Sequence, residues 1–94
     1  MNCFVYLMAS AKNGTLYLGV TSNLIQRVHQ HKTGTFEGFT SRYAVHALVW
    51  MDSTPSIDGA IVREKQMKNW KREWKVALIE KTNPDWLDLY ESIL

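Results

Sequence analysis

An uncharged apolar run, a turn and a second apolar run open the chain and constrain its fold more than any other feature. Residues 3–8 predict a strand that is buried on both faces. Asn13-Gly14 follows and favours a two-residue hairpin turn, because this pair accepts positive φ at both positions. Residues 15–20 then form the returning strand, with position 10 opposite position 17 and position 8 opposite position 19.

The predicted hairpin brings two tyrosines to one face of the sheet. Side chains alternate along a strand with period two, so Tyr6 and Tyr17 share a face in this register. Gly19 has no side chain and leaves a gap beside them. Two interpretations stay open: the phenols belong to a reactive site, or they only pack within the sheet.

Patterns after the hairpin predict an α+β domain. Residues 24–32 have the pattern of a helix, and residues 46–52 that of a third strand. A helical period runs from residue 57 to about residue 81, either as one helix or as two helices with a break near residue 70. Pro84 is suited to begin a short final helix. We expect a single domain over residues 1–94. It would hold a small, mostly antiparallel three-stranded sheet flanked by helices, in the order β-β-α-β-α-α.

The first predicted helix carries a polar stripe. Asn23, Arg27 and His31 are spaced four residues apart and fall on one side of the helix, and Thr21, Ser22 and Asn23 are all candidates for its N-cap. The planar fork of an arginine fits a phosphate, and a histidine can carry a proton or donate to a phosphate. The alternative is an ordinary polar stripe that faces solvent.

The later helix contains a carboxylate within an apolar stripe. Its core-facing positions are 57, 60, 61, 64 and 67, and position 64 is a glutamate. A buried carboxylate needs a cation or strong donors, because burial of an unpaired charge is costly. A divalent metal ion is one solution for Glu64, and a salt bridge to Arg63 or Lys68 is the other.

Positive charge is concentrated late in the chain. The 94-residue chain has a formal charge of only +2, but seven of its basic residues and three acidic ones lie within residues 61–81. The basic residues are interleaved with Trp70 and Trp74, which we expect to be at least half-buried. This pattern predicts either a surface for a polyanion or a solvated helix face.

Several classes of protein are excluded. The single cysteine, Cys3, cannot form an intramolecular disulfide, so we expect a buried small hydrophobic residue in a reducing compartment. The chain has no signal peptide and no transmembrane-length apolar stretch, so we expect a cytoplasmic protein without membrane contact. It also lacks a Walker loop, paired zinc-binding cysteines, a nucleophile elbow and a dinucleotide fingerprint.

Together these residues resemble the GIY-YIG nuclease superfamily. Phe4-Val5-Tyr6 stands at the first motif, with Phe and Val in place of Gly and Ile, and Tyr17-Leu18-Gly19 stands at the second. Residues 19–27 resemble the start of the family's first helix, and Glu64 matches its metal-binding glutamate. The similarity extends over essentially the whole chain. It is strongest to short stand-alone bacterial members, which are similar to the N-terminal incision domain of the excision-repair nuclease.

The resemblance implies an endonuclease that hydrolyses phosphodiester bonds in DNA with one Mg²⁺ or Mn²⁺ ion held by Glu64. Tyr17 would orient or deprotonate the attacking water, and Tyr6 would support the site. Arg27 would stabilise charge on the phosphate, and His31 matches a histidine found in part of the family.

Further expectations follow from the same resemblance. Asn83 is the candidate for the family's late asparagine, although it lies farther from Glu64 than is usual. We expect a role in DNA repair, recombination or processing of DNA structures, with a protein partner or a homodimer for targeting. The alternative is a DNA-binding module with weak or no cleavage activity. The basic residues expected to contact DNA are Arg27, Lys32, Arg42, Lys68, Lys71 and Arg72.

Overall fold

Three strands and four helices account for the regular structure within residues 2–34 and 43–94, which a computed structural model describes. The strands form one antiparallel sheet in the order β2-β1-β3, which confirms the predicted α+β class. None of these helices is long and apolar enough to cross a membrane. In chain order the elements are β1 (Cys3–Ala9), β2 (Leu16–Thr21), α1 (Leu24–Lys32), β3 (Ala47–Thr54), α2 (Ile57–Lys68), α3 (Arg72–Thr82) and α4 (Tyr90–Ile93).

The hairpin between β1 and β2 has a longer loop than its sequence predicts. Met8 lies opposite Tyr17, so the predicted pairing of position 8 with position 19 is wrong by two residues. The Gly14 amide donates to the Ala11 carbonyl at 2.9 Å, and Asn13 takes a φ of 61°. Positive φ at Asn13 without positive φ at Lys12 is the pattern of a type II turn, which a four-residue loop accommodates. Because the shift is even, both tyrosines still point to one face.

The two faces of the sheet are covered by different helices. On the face that carries Cys3, Val5 and Leu7, helices α2 and α3 supply the packing partners, and Cys3 is buried as predicted. On the face that carries Tyr6 and Met8, α1 and the C-terminal residues supply them. We call this second side of the sheet the tyrosine face. Each helix layer therefore buries one set of alternating β1 side chains.

The side of α2 that packs on the sheet differs from the apolar stripe that the sequence predicts. Ala60 and Met67 are fully buried as expected, but Ile57 and Ile61 are 46% and 38% exposed. Glu64 lies between the two buried positions, four residues after Ala60 and three before Met67. The assignment of Ile57 and Ile61 to the core is wrong, because the apolar period fits neighbouring helix orientations and contact with the sheet selects one.

The C-terminal segment begins with a turn instead of the predicted helix at Pro84. Trp86 takes a φ of 56° and is buried, and its indole N–H donates to the Glu80 carboxylate at 2.9 Å. The final helix starts only at Tyr90. The Leu89 amide donates to the Leu48 carbonyl at 2.8 Å and so fastens this segment to β3.

Candidate active site

Gly19 creates the space in which the ring of Tyr6 lies. The two residues are paired directly across the strands β1 and β2. A Cβ atom at position 19 would lie 2.5 Å from both Cζ and the hydroxyl oxygen of Tyr6. Tyr6 is only 1% exposed, so its ring is surrounded by the core. The predicted gap beside Gly19 is therefore present and is filled by the Tyr6 ring.

Two tyrosines and a histidine form an aromatic cluster on the tyrosine face. The hydroxyl of Tyr6 and Nε2 of His31 are hydrogen-bonded at 2.9 Å within the protein interior. The ring of Tyr17 lies 5.1 Å from that of His31 and 6.3 Å from that of Tyr6, between centroids. Tyr17 is partly buried, so it forms the more accessible side of the cluster. We call Tyr6, Tyr17 and His31 the aromatic cluster.

Helix α1 brings His31 to the cluster. Asn23 caps the helix by accepting a hydrogen bond from the Gln26 amide at 3.1 Å, as the sequence predicts. Two turns further on, His31 is 2% exposed and Val28 is fully buried. The stripe of Asn23, Arg27 and His31 therefore runs from the exposed cap into the core, and it does not face solvent along its whole length.

The electrostatics of the cluster keep its buried groups neutral. Burial, with a smaller contribution from Tyr17, raises the pKa of Tyr6, and Arg27 partly opposes this change. Burial, followed by the positive charge of Arg27 and by His46, lowers the pKa of His31 to about 4. At neutral pH the Tyr6 phenol is therefore protonated and the His31 imidazole is uncharged. The low pKa makes the His31 imidazole a weak base, and the nearby guanidinium attracts anions.

Glu64 lies in the other helix layer. Its side chain is 15% exposed on the inner side of α2, and Lys68 Nζ lies 3.1 Å from its Oε1. This is one of the two solutions that the sequence left open for the carboxylate. Helix α2 packs against β1 and β2, so Glu64 and the aromatic cluster are separated by the sheet, whose edge strand is β2.

Asn83 has structural partners that occupy its amide group. Its Nδ2 donates to the carbonyls of Val49 at 3.1 Å and Leu87 at 2.9 Å, and its Oδ1 accepts from the Leu87 amide at 2.9 Å. The residue is 4% exposed and ends α3. A role in catalysis would require these bonds to break, so we do not include Asn83 in the proposed site.

Two of the predicted DNA-binding residues hold the protein's own backbone. Lys32 forms an ion pair with Asp88, and its Nζ donates to the His46 carbonyl at 3.0 Å. Arg72 donates to the carbonyl of Asn13 at 3.0 Å and to that of the following residue, at the tip of the hairpin. These contacts leave both side chains less available to phosphates than the sequence predicts.

The other predicted DNA-binding residues have varied positions. Arg27 lies close enough to the aromatic cluster to change the pKa of two of its members. Lys68 is 68% exposed and pairs with Glu64. Lys71 is exposed, with its ammonium 5.9 Å from the centre of the Trp74 ring. Arg42 lies outside the residues that the structure describes.

Asp88 is an organising residue that the sequence patterns above do not identify. One carboxylate oxygen accepts from the amides of Leu48 at 3.2 Å and Tyr90 at 3.1 Å, and the other pairs with Lys32. Burial opposes ionisation of Asp88, but these hydrogen bonds outweigh it and lower the pKa of the carboxyl. An aspartate just before a short helix is a known capping signal, and this signal could have identified Asp88 from the sequence.

Comparisons with known proteins agree with the resemblance seen in the sequence. Residues 2–77 match the family model described as the GIY-YIG catalytic domain, a range that includes every residue predicted from the sequence to be catalytic except Asn83. A UPF0213 protein of Syntrophus aciditrophicus is 32% identical over 83 residues, which cover 87% of this chain and 93% of that protein. A UPF0213 protein of Staphylococcus haemolyticus is 30% identical over 77 residues, which cover 82% and 93% of the two chains.

A solved structure has the same fold. The solution NMR structure of a UPF0213 protein from Bacillus halodurans is similar with a TM-score of 0.57 and 26% sequence identity. The similarity covers 94% of this chain and 93% of that one, so it includes both helix layers.

Proposed function

This chain belongs to the GIY-YIG family as a short stand-alone member, and we propose that it is a metal-dependent endonuclease that hydrolyses phosphodiester bonds in DNA. The family is one of nucleases. The observation that carries the proposal is the buried hydrogen bond between Tyr6 and His31, with Tyr17 and the charge of Arg27 beside it. Groups whose pKa values are shifted by burial and by a nearby charge concentrate at functional sites.

Each member of the cluster has a chemical role in this proposal. Tyr17, on the accessible side, would orient the attacking water. The neutral His31 ring packs beside Tyr17 and would hold that phenol in place. Tyr6 would fix the orientation of His31 through the bond to Nε2. Arg27 would stabilise the charge that develops on the phosphate, for which a guanidinium offers two parallel hydrogen bonds.

Glu64 is the proposed ligand for Mg²⁺ or Mn²⁺. Among residues 2–34 and 43–94, no three His, Cys, Asp or Glu side chains gather as a metal-binding group. A single carboxylate still fits these hard ions, because water and substrate phosphate can complete their coordination. When bound, the ion would polarise a phosphate oxygen as a Lewis acid. Strand β2 carries Tyr17 and contacts α2, so a phosphate at this edge strand is the substrate position that we propose.

The ion pair between Glu64 and Lys68 favours one alternative function. A carboxylate that already has a cation at 3.1 Å does not require a metal ion for its burial. In that case the protein would be a DNA-binding module with weak or no cleavage, targeted by a partner protein. In either case we propose a place in DNA repair, recombination or the processing of DNA structures.

A nicking assay tests the proposal. Supercoiled plasmid, flap DNA and junction DNA are incubated with the protein in Mg²⁺, in Mn²⁺ and in a chelator. We expect metal-dependent cleavage that falls at least about 100-fold in both variants, because Glu64→Gln removes the proposed metal ligand and Arg27→Ala removes a cation at the reacting phosphate. Glu73→Ala removes an exposed carboxylate from α3 and serves as the matched control, with unchanged cleavage.

Circular dichroism of each variant separates loss of folding from loss of chemistry. Cleavage that persists in Glu64→Gln would mean that this carboxylate is not the metal ligand. DNA binding without metal-dependent cleavage of any of the three substrates would favour the alternative function.

A further inference from the structure

An apolar groove lies along α3, in the helix layer opposite the aromatic cluster. Trp70, Trp74, Ala77, Leu78 and Lys81 line it, and its volume is about 530 Å³. Trp74 is 51% exposed, slightly more than the sequence predicts, and the groove is therefore open to solvent. The centroids of the two indole rings lie 6.4 Å apart and the ring planes meet at 76°, so the edge of one ring faces the other.

Cations surround these two tryptophans. The Lys71 ammonium lies 5.9 Å from the ring centre of Trp74, and the Arg63 guanidinium lies 5.5 Å from that of Trp70. Lys81 lines the groove about two helical turns beyond Trp74.

The acidic side chains of α3 are directed elsewhere. The Glu80 carboxylate accepts a hydrogen bond from Trp86 at 2.9 Å. Glu73 lines a separate hollow with Lys71, Arg72 and Val76. The tryptophan groove therefore combines flat aromatic surfaces with a positive rim, and this combination matches a ligand that has an apolar face and a negative backbone.

We propose that this groove binds an unpaired nucleobase of a DNA strand, stacked on Trp74, with the neighbouring phosphates at Lys71 and Lys81. Stacking on an aromatic ring is available only to a base that has left the duplex, so the groove selects DNA with a single-stranded segment. This inference rests on the proposed action on DNA and adds a substrate class to it, namely DNA that contains unpaired bases.

The groove and the aromatic cluster are connected through the hairpin. Arg72, at the start of α3, holds the hairpin tip through the carbonyls of Asn13 and Gly14. Tyr17 lies three residues beyond Gly14, which corresponds to about 10 Å of extended strand. A single strand held at α3 that continues past the start of this helix would meet the hairpin that carries Tyr17.

Binding measurements in a chelator test this proposal without any cleavage. Fluorescence anisotropy is recorded with a labelled oligothymidylate strand and with a blunt duplex of the same length. We expect Trp74→Ala to weaken binding of the single strand about 5- to 100-fold, because one stacked base is lost. Trp74→Phe should retain most of the affinity, and duplex binding should change little in either variant. Leu87→Ala changes another exposed apolar residue, 63% exposed, and serves as the control with unchanged binding.

The outcomes separate this proposal from the proposed function. Wild-type affinity of Trp74→Ala for the single strand would overturn the proposal, and so would an equal loss for single strand and duplex. A dimer seen by sedimentation that dissociates in Trp74→Ala would overturn it in favour of a protein contact. Single-strand binding that depends on Trp74 in a protein that cuts no DNA would uphold the groove and refute the nuclease.

Discussion

Replacement of Gly19 with alanine is expected to destabilise the protein through the ring of Tyr6. The new Cβ would lie 2.5 Å from Tyr6 Cζ, whereas carbon atoms in contact are separated by about 3.5–4.0 Å, so the ring must shift by about 1 Å. Overpacking of this kind costs about 1–3 kcal/mol, and a weakened bond to His31 adds about 1 kcal/mol. The lower backbone entropy of alanine in the unfolded chain offsets about 0.5–1 kcal/mol. The expected net loss is about 2 kcal/mol.

Urea unfolding followed by tryptophan fluorescence measures this loss. In thermal unfolding we expect the melting temperature to fall by about 10 °C. Gly59→Ala is the matched control, because a Cβ there meets Ser56 Oγ at 3.5 Å and Thr54 Cβ at 3.8 Å, which are ordinary contacts. The control should be stabilised by about 0.5–1 kcal/mol, since alanine is the better helix former. Equal stability of Gly19→Ala and Gly59→Ala would refute the argument that Tyr6 requires a glycine opposite it.

Three further predictions concern the contacts around the site. The pKa of His31 is about 4 in the folded protein, against 6.5 for an unperturbed histidine, so the unfolded chain binds a proton first as the pH falls. The contribution of His31 to the free energy of unfolding should be constant above about pH 6.5 and fall by about 2–3 kcal/mol between pH 6.5 and 4. Urea unfolding at a series of pH values should show a smaller pH dependence in His31→Asn. Asn83→Asp places an acceptor against two carbonyls and should cost about 3 kcal/mol in urea unfolding, with cleavage per folded molecule retained; a selective loss of cleavage would restore its catalytic role. Arg72→Ala should speed amide hydrogen exchange at the hairpin tip at least severalfold, and unchanged exchange would contradict the bracing role of Arg72.

The hairpin illustrates how a local error can leave the site prediction intact. The turn predicted from the sequence is two residues away from the observed register, because Asn13-Gly14 is the strongest signal for a two-residue turn. An even shift preserves the alternation of side chains, so Tyr6 and Tyr17 stay on one face. An odd shift would have turned one tyrosine into the opposite helix layer.

The partners of individual polar residues were beyond the reach of sequence patterns. Lys32 and Arg72 were predicted to contact DNA, yet Lys32 pairs with Asp88, 56 residues away, and Arg72 with carbonyls 58 and 59 residues away. Asn83 holds the Val49 carbonyl, 34 residues distant. Helical and strand periods relate residues that are only a few positions apart, so they do not predict contacts over such sequence separations. Only the folded chain brings these groups together.

By itself, the sequence determined the element order, the shared face of Tyr6 and Tyr17, and a gap beside them at Gly19. These features follow from strand alternation and from local apolar periods, which act over a few residues. The tertiary structure decided how each helix is rotated against the sheet. That rotation buries His31 against Tyr6, leaves Ile57 and Ile61 at the rim, and puts Glu64 in the helix layer opposite the aromatic cluster. A helical period permits several orientations of nearly equal apolar burial, and close packing against one particular sheet selects among them.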